Sequence, residues 1–151
     1  CLVSSAKRND TRLIGVVLGA DKEKDRFVAS QALLNYGFSF FESRKLHDAN
    51  APILTTRIWK GKENELPLGV TYPLYVTVPK GQAPQVSTTT TVQPKIVAPA
   101  QKDQAFGEIV VKLGEQEVSR TPLVALKEVP ESGWFGRLID SILMFFYYLF
   151  H

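Results

Sequence analysis

Four residues near the start of the chain, Ser4-Ser5-Ala6-Lys7, have the types and spacing of a serine nucleophile with a lysine base. That pair forms acyl-enzymes when the two side chains sit one turn apart at the start of a helix, so that the amine reaches the hydroxyl. Here the four residues end a β-leaning run that enters a turn, where Ser4 and Lys7 leave the backbone in different directions. A short pattern with two free positions recurs by chance, and this one reads as a coincidence. Asn9-Asp10-Thr11 fits the N-glycosylation acceptor pattern, but a turn before a strand accounts for the same residues. Arg26 lies one turn into a helical stretch, and on residue grounds alone it is a solvated charge. One cysteine, Cys1, excludes an internal disulfide and a Cys-based zinc site, and the two histidines, His47 and His151, are too far apart for a metal motif. No Gly-x-Ser-x-Gly, phosphate-cradling loop or paired-carboxylate signature stands out. On motifs alone there is no complete active site, and no metal or other cofactor is implied.

The composition bounds the rest. At 151 residues, 44% hydrophobic and 22% charged, the chain is globular in character and long enough for one ordinary domain or a small domain with appendages. Its formal charge of +3 comes from 18 Lys and Arg spread among 15 acids. Such a spread lacks the concentrated basic face that phosphate-backbone binding needs, so a nucleic-acid partner is not expected. Cys1 reads either as the lipid-bearing first residue of a mature lipoprotein or as a cut through a longer chain.

The elements that must position any site fall into three groups. Leu2–Ala6 and Arg12–Leu18 are β-leaning runs around a polar loop and read as a hairpin. A helix is expected at about 22 to 36, with Asp21 as a cap, Phe27, Val28, Gln31, Leu34 and Phe38 near helical spacing, and Gly37 as a stop or kink. From about 44 the chain becomes a series of short strands punctuated by Pro and Gly: "PILTTRIWKG", "GVTYPLYVTVPKG", "QVSTTTTVQPKIVAPAQ" and "FGEIVVKLGEQEVSRTPLVALKEVP". Ser87–Thr91 belongs with them because Thr is β-branched and Val86 and Val92 flank it, and the centre of Leu113–Val118 has hairpin chemistry. Turn-separated strands at intervals of about ten residues imply a small antiparallel sandwich or barrel.

After Pro130-Glu131-Ser132-Gly133 helical spacing returns. Phe135, Leu138, Ile139, Ile142, Phe145, Phe146 and Leu149 share one face, with Trp134 at its start, while Arg137, Asp140, Ser141, Met144, Tyr148 and His151 occupy the other. Nine apolar or aromatic residues in a row, Ile142 to Phe150, raise the question of a membrane span. A bilayer needs about 20 apolar residues, and Arg137 and Asp140 fall where a span needs apolar atoms. The stretch is therefore read as an amphipathic helix lying in an interface. With Arg137 offset by Asp140 and little other charge in the tail, attraction to anionic lipid is expected to be secondary and binding to resist moderate salt.

The order of these pieces, with "LLNYGFSFFE", "LYVTVPKG", "PLVALKEVPE" and "GWFGRLID", resembles the C-terminal part of bacterial low-molecular-mass penicillin-binding proteins, the D-alanyl-D-alanine carboxypeptidases of the S11 serine peptidase type. The resemblance implies a mainly β chain. Residues 1 to 42 would be the last two strands and helix of an α/β transpeptidase-like domain, 43 to 131 an antiparallel β-sandwich, and 132 to 151 an amphipathic membrane anchor. It places the nucleophile and base upstream of Cys1, which makes Cys1 a cut. It also implies that the parent enzyme trims peptidoglycan pentapeptides, is acylated by β-lactams, and works at the periplasmic face of the bacterial inner membrane as a peripheral protein.

Within this chain the resemblance puts Arg26 near the active-site mouth, where a guanidinium would attract the substrate's terminal carboxylate. Phe27-Val28-Ala29 stand where the family usually has acidic residues. The anchor residues would be Trp134, Phe135, Leu138, Ile139, Ile142, Phe145, Phe146 and Leu149, touching the inner-membrane lipid surface. The chain by itself is expected to be inactive. A non-catalytic, membrane-associated β module that binds a protein or glycan partner is the alternative.

Overall fold

A computed structural model describes residues 1–150; the expectation for His151 lies outside them. The chain opens with a hairpin of β1 (Leu2–Arg8) and β2 (Thr11–Val17), in register from Leu2 opposite Val17 to Arg8 opposite Thr11. Asn9, at φ 52°, and Asp10 make the turn, as the polar loop requires. Helix α1 (Glu23–Phe40) then packs on the hairpin.

Its length corrects the expected end near 36. Gly37 neither stops nor kinks α1, because its role is steric: a Cβ there would lie 2.4 Å from Leu13 Cδ1 on β2. The missing side chain is what lets the helix approach the strand. Leu34 likewise turns toward β2 and is partly buried.

With no intervening loop, α1 runs into β3 (Phe41–His47), which pairs antiparallel with β6 (Leu74–Pro79) as a two-stranded sheet. A second, five-stranded sheet contains β4 (Leu54–Arg57), β5 (Glu65–Gly69), β7 (Val86–Val92), β8 (Ala105–Leu113) and β9 (Gln116–Ala125) in the order β4-β5-β9-β8-β7. The run Ser87–Thr91 is thus a strand. β8 and β9 close around Gly114, whose φ of 60° lies in the left-handed region that glycine adopts most readily. The expected strand character of residues 94–101 is reduced to two isolated bridges, Trp59 with Val97 and Ala100 with Val129. β3 was hidden in the sequence by its mixed, partly polar pattern FESRKLH.

The two sheets enclose one apolar core. Leu74, Val76 and Val78 alternate inward from β6, and meet Leu66 and Leu68 of β5, Ile109 and Val111 of β8, and Leu123 and Ala125 of β9. These side chains keep under a tenth of their surface exposed, and burial is worth about 1.5–3 kcal/mol for each large one. The core cluster runs from Ile58 to Val129 and recruits no residue of the first hairpin or α1. In that first region Val3, Ile14, Val16, Leu18, Phe27 and Val28 are all more than half exposed.

Hydrogen exchange should report this division. Amides of β5, β8 and β9 are expected to exchange slowly, whereas those of β1, β2 and the first half of α1 exchange fast, because few buried apolar contacts hold them. Equal protection in both regions would contradict it.

Candidate functional site

Two places carry residues singled out by sequence. The first is the hairpin and α1. Ser4 lies on β1, and its hydroxyl bonds to the Ser30 hydroxyl of α1 and donates to the Gly15 carbonyl at 3.4 Å. Lys7, three positions along the strand, projects from the opposite face. The hydroxyl therefore ties hairpin to helix, and no amine is placed against it. Thr11 of the Asn9-Asp10-Thr11 turn is buried, and its Oγ1 accepts the Ser43 N–H at 2.9 Å.

Arg26 sits one turn into α1 and is partly buried. Its Nε is shielded from solvent and has no hydrogen-bond partner among the described residues, an uncommon state for a guanidinium nitrogen. Two side-chain contacts lock this part of the chain to the sandwich: Lys80 donates its ammonium to the Phe38 carbonyl at 2.7 Å, and Thr11 accepts from Ser43. Within it, the Arg8 guanidinium lies 4.5 Å from the Phe38 ring centroid and ties β1 to α1.

The second place is helix α2 (Trp134–Leu149). Its entry is strung along the segment after β4: Lys62 N–H donates to Pro130 O at 3.0 Å, and Ser132 N–H to Lys60 O at 2.8 Å. From there the helix lies with its polar stripe inward. Gly136, Asp140, Ser141 and Met144 are its partly covered residues, at the spacing of one helix face. Asp140 Oδ2 accepts the Lys60 backbone N–H at 2.7 Å, Tyr147 packs its ring 5.9 Å from that of buried Trp59, and Tyr148 donates its hydroxyl to Pro94 O at 3.2 Å. Arg137 pairs with Glu131 at 3.0 Å, so the expected Arg137–Asp140 offset is replaced by two separate contacts.

The apolar stripe is left outward. Trp134, Phe135, Leu138, Ile139, Ile142, Phe145, Phe146 and Leu149 are each half or more exposed, and no residue of α2 is buried. At 16 residues the helix is about 24 Å long, and no helix among the described residues is long and apolar enough to cross a membrane. The helix has no side-chain cap, no acid in its first turn and no base in its last. A helix this short gains little from its own propensity, so docking contacts must hold it. Lys60, Trp59 and Lys95 as the docking floor went unnoticed in the sequence, since nothing in their local pattern marks a surface assembled from distant segments.

The groups pushed off their ordinary pKa are members of exposed ion pairs. The Asp48 carboxylate, by hydrogen bond and charge, holds Lys45 above the usual ammonium range, and the Arg120 guanidinium hydrogen-bonded to Glu117 holds that carboxyl low. Among the described residues no cluster of His, Cys, Asp and Glu could hold a metal ion.

Compared with known proteins, residues 41–131 match the family described as "Penicillin-binding protein 5, C-terminal domain". The chain is 38% identical to the D-alanyl-D-alanine carboxypeptidase DacC of Escherichia coli K12 over 99% of its own length and 38% of that relative's. It is 33% identical to DacA of the same organism over 99% of its own length and 37% of the relative's. The crystal structure of penicillin-binding protein 5 from Haemophilus influenzae superposes with a TM-score of 0.78 at 32% identity, over 86% of this chain and 38% of that one. The chain thus spans under two-fifths of the curated relatives it matches.

Asp140 is the contact to test. Replacing it with Ala leaves the Lys60 amide without its acceptor and is expected to weaken docking of α2 by about 1–3 kcal/mol. Amide exchange at Lys60 should then speed up while β5 and β9 stay protected; unchanged protection at Lys60 would show that Asp140 does not hold the helix.

Proposed function

Because the chain belongs to the family of the penicillin-binding protein 5 C-terminal domain, we propose that it is the C-terminal portion of a serine-type D-Ala-D-Ala carboxypeptidase that trims peptidoglycan pentapeptides. In this reading it supplies a spacer and attachment to a lipid surface, and the nucleophile and base lie in sequence that precedes Cys1. Residues 1 to 42 complete a catalytic domain. Their exposed Val3, Ile14, Val16 and Leu18 are the surface that such a domain would cover. Ser4 is engaged with Ser30, which supports a structural role for it.

Arg26 contributes positive charge to the active-site wall. Its shielded, unpartnered Nε supports a role other than a solvated surface charge, and a guanidinium suits a substrate ending in a free carboxylate. β-Lactams would acylate the parent enzyme at its upstream serine. The place of action is the periplasmic face of the bacterial inner membrane, where the protein is peripheral.

The observation that carries the attachment is α2, which faces the sandwich with its polar stripe and leaves its aromatic and aliphatic stripe uncovered. Water is a poor solvent for that stripe. Burying its eight large side chains at about 1.5–3 kcal/mol each gives on the order of 10 kcal/mol before ordering costs, enough to hold a protein at a lipid surface. A helix too short to span would lie in the interface plane.

Two measurements test the reading. A fluorescent penicillin is expected to leave this polypeptide unlabelled; covalent labelling would locate a nucleophile within it. Truncation after Pro130 is expected to abolish binding to lipid vesicles, and retained binding would remove the tail from the role of anchor.

A further inference from the structure

The tail carries one Arg and one Asp between Trp134 and Phe150, and the salt resistance expected of it rests on that near-neutrality. The folded chain changes the charge around it. Three sandwich residues that touch α2 or its entry are lysines, Lys60 and Lys62 through their backbone and Lys95 through its ammonium. The backbone of Lys62 bonds to Pro130 just before the helix, that of Lys60 bonds to Asp140 near its middle, and Lys95 places its ammonium 5.6 Å from the Tyr148 ring centroid in its last full turn. Among the described residues none of the three pairs with a carboxylate. The nearby acids are engaged: Glu63 with Lys127, Glu131 with Arg137, and Asp140 with the Lys60 amide.

Beside Lys95 the sandwich and α2 leave an open groove of about 440 Å³, lined by Lys95, Ser141, Met144, Phe145, Tyr148 and Leu149. The groove straddles the boundary of the helix. Phe145 and Leu149 belong to the outward apolar stripe, whereas Ser141 and Tyr148 belong to the docked polar stripe. One wall is thus aliphatic and aromatic and continuous with the stripe, and the other ends in an unpaired ammonium.

We propose that this groove is a binding site for the headgroup and upper acyl chain of one anionic phospholipid, with Lys95 facing the phosphate and Lys60 and Lys62 extending the positive edge along α2. The inference rests on the lipid-surface reading and adds lipid selectivity to it. With the apolar stripe inserted, Lys95 stands at the depth where headgroup phosphates lie. A phosphate there meets an unpaired cation, and its acyl chain continues along Met144, Phe145 and Leu149. A zwitterionic headgroup brings a compensating cation against Lys95 and gains less.

The experiment is co-sedimentation of the 151-residue chain with phosphatidylcholine vesicles and with the same vesicles containing phosphatidylglycerol, for the unaltered chain, Lys95→Gln and the Lys60→Gln/Lys62→Gln pair. A surface lysine contributes about fivefold in affinity for anionic membranes. Lys95→Gln should therefore lose about fivefold on phosphatidylglycerol vesicles and be unchanged on phosphatidylcholine, and the pair should lose more. Added salt should shrink the difference between the two vesicles without releasing the protein. Equal affinity of the unaltered chain for both vesicles overturns the proposal, and so does an intact preference in Lys95→Gln. If Lys95 served only to complement the C-terminal end of α2, its loss would weaken binding to both vesicles alike, which also overturns it. Failure of the unaltered chain to bind either vesicle would instead refute the lipid-surface reading itself.

Discussion

The contact between the Asp140 carboxylate and the Lys60 amide sets which way the last helix faces. A carboxylate is costly to bury without a donor, and a backbone N–H is costly to leave without an acceptor. Each satisfies the other here, at the middle of α2, and the remaining polar groups of the stripe follow: Arg137 to Glu131 at one end, Tyr148 to Pro94 at the other. Once these groups point at the sandwich, helical geometry leaves the apolar residues no direction but outward. An amphipathic helix on a soluble domain ordinarily shows the reverse arrangement, apolar side in.

That inversion couples the sandwich to whatever covers the stripe. The antiparallel bridge between Gly61 and Glu131 and the hydrogen bonds around it fix where α2 starts, and the Trp59–Tyr147 ring contact fixes where it lies further on. The other end of the sandwich is tied as firmly. α1 enters β3 without a loop, and Lys80 and Thr11 clamp the junction. A single apolar core with short, hydrogen-bonded connections at both ends resists bending better than linked mobile pieces would.

Much of this was legible in the amino-acid order. Strand segments β4 and β6 to β9, the Gly114 hairpin, the first hairpin and the amphipathic tail follow from periodicity and turn chemistry, because those signals are local, whereas β5, Glu65–Gly69, with Pro67 inside it, lies outside the expected strand runs. Gly37 shows where local reasoning stops: a glycine near a helix end is read as a terminator, yet this one is present because Leu13, more than twenty residues earlier, needs the space. β3 escaped notice because its pairing with β6, not its own composition, makes it a strand.

The sequence by itself determined which faces exist: an apolar stripe on the tail and an apolar side on the strands. Only the tertiary structure decided what those faces meet. Lys60, Lys62 and Lys95 are ordinary lysines in the sequence, and they come beside α2 and its entry only because chain segments 30 to 80 residues apart are brought together around one core. Periodicity is a property of neighbours along the chain, whereas a binding edge is a property of neighbours in space.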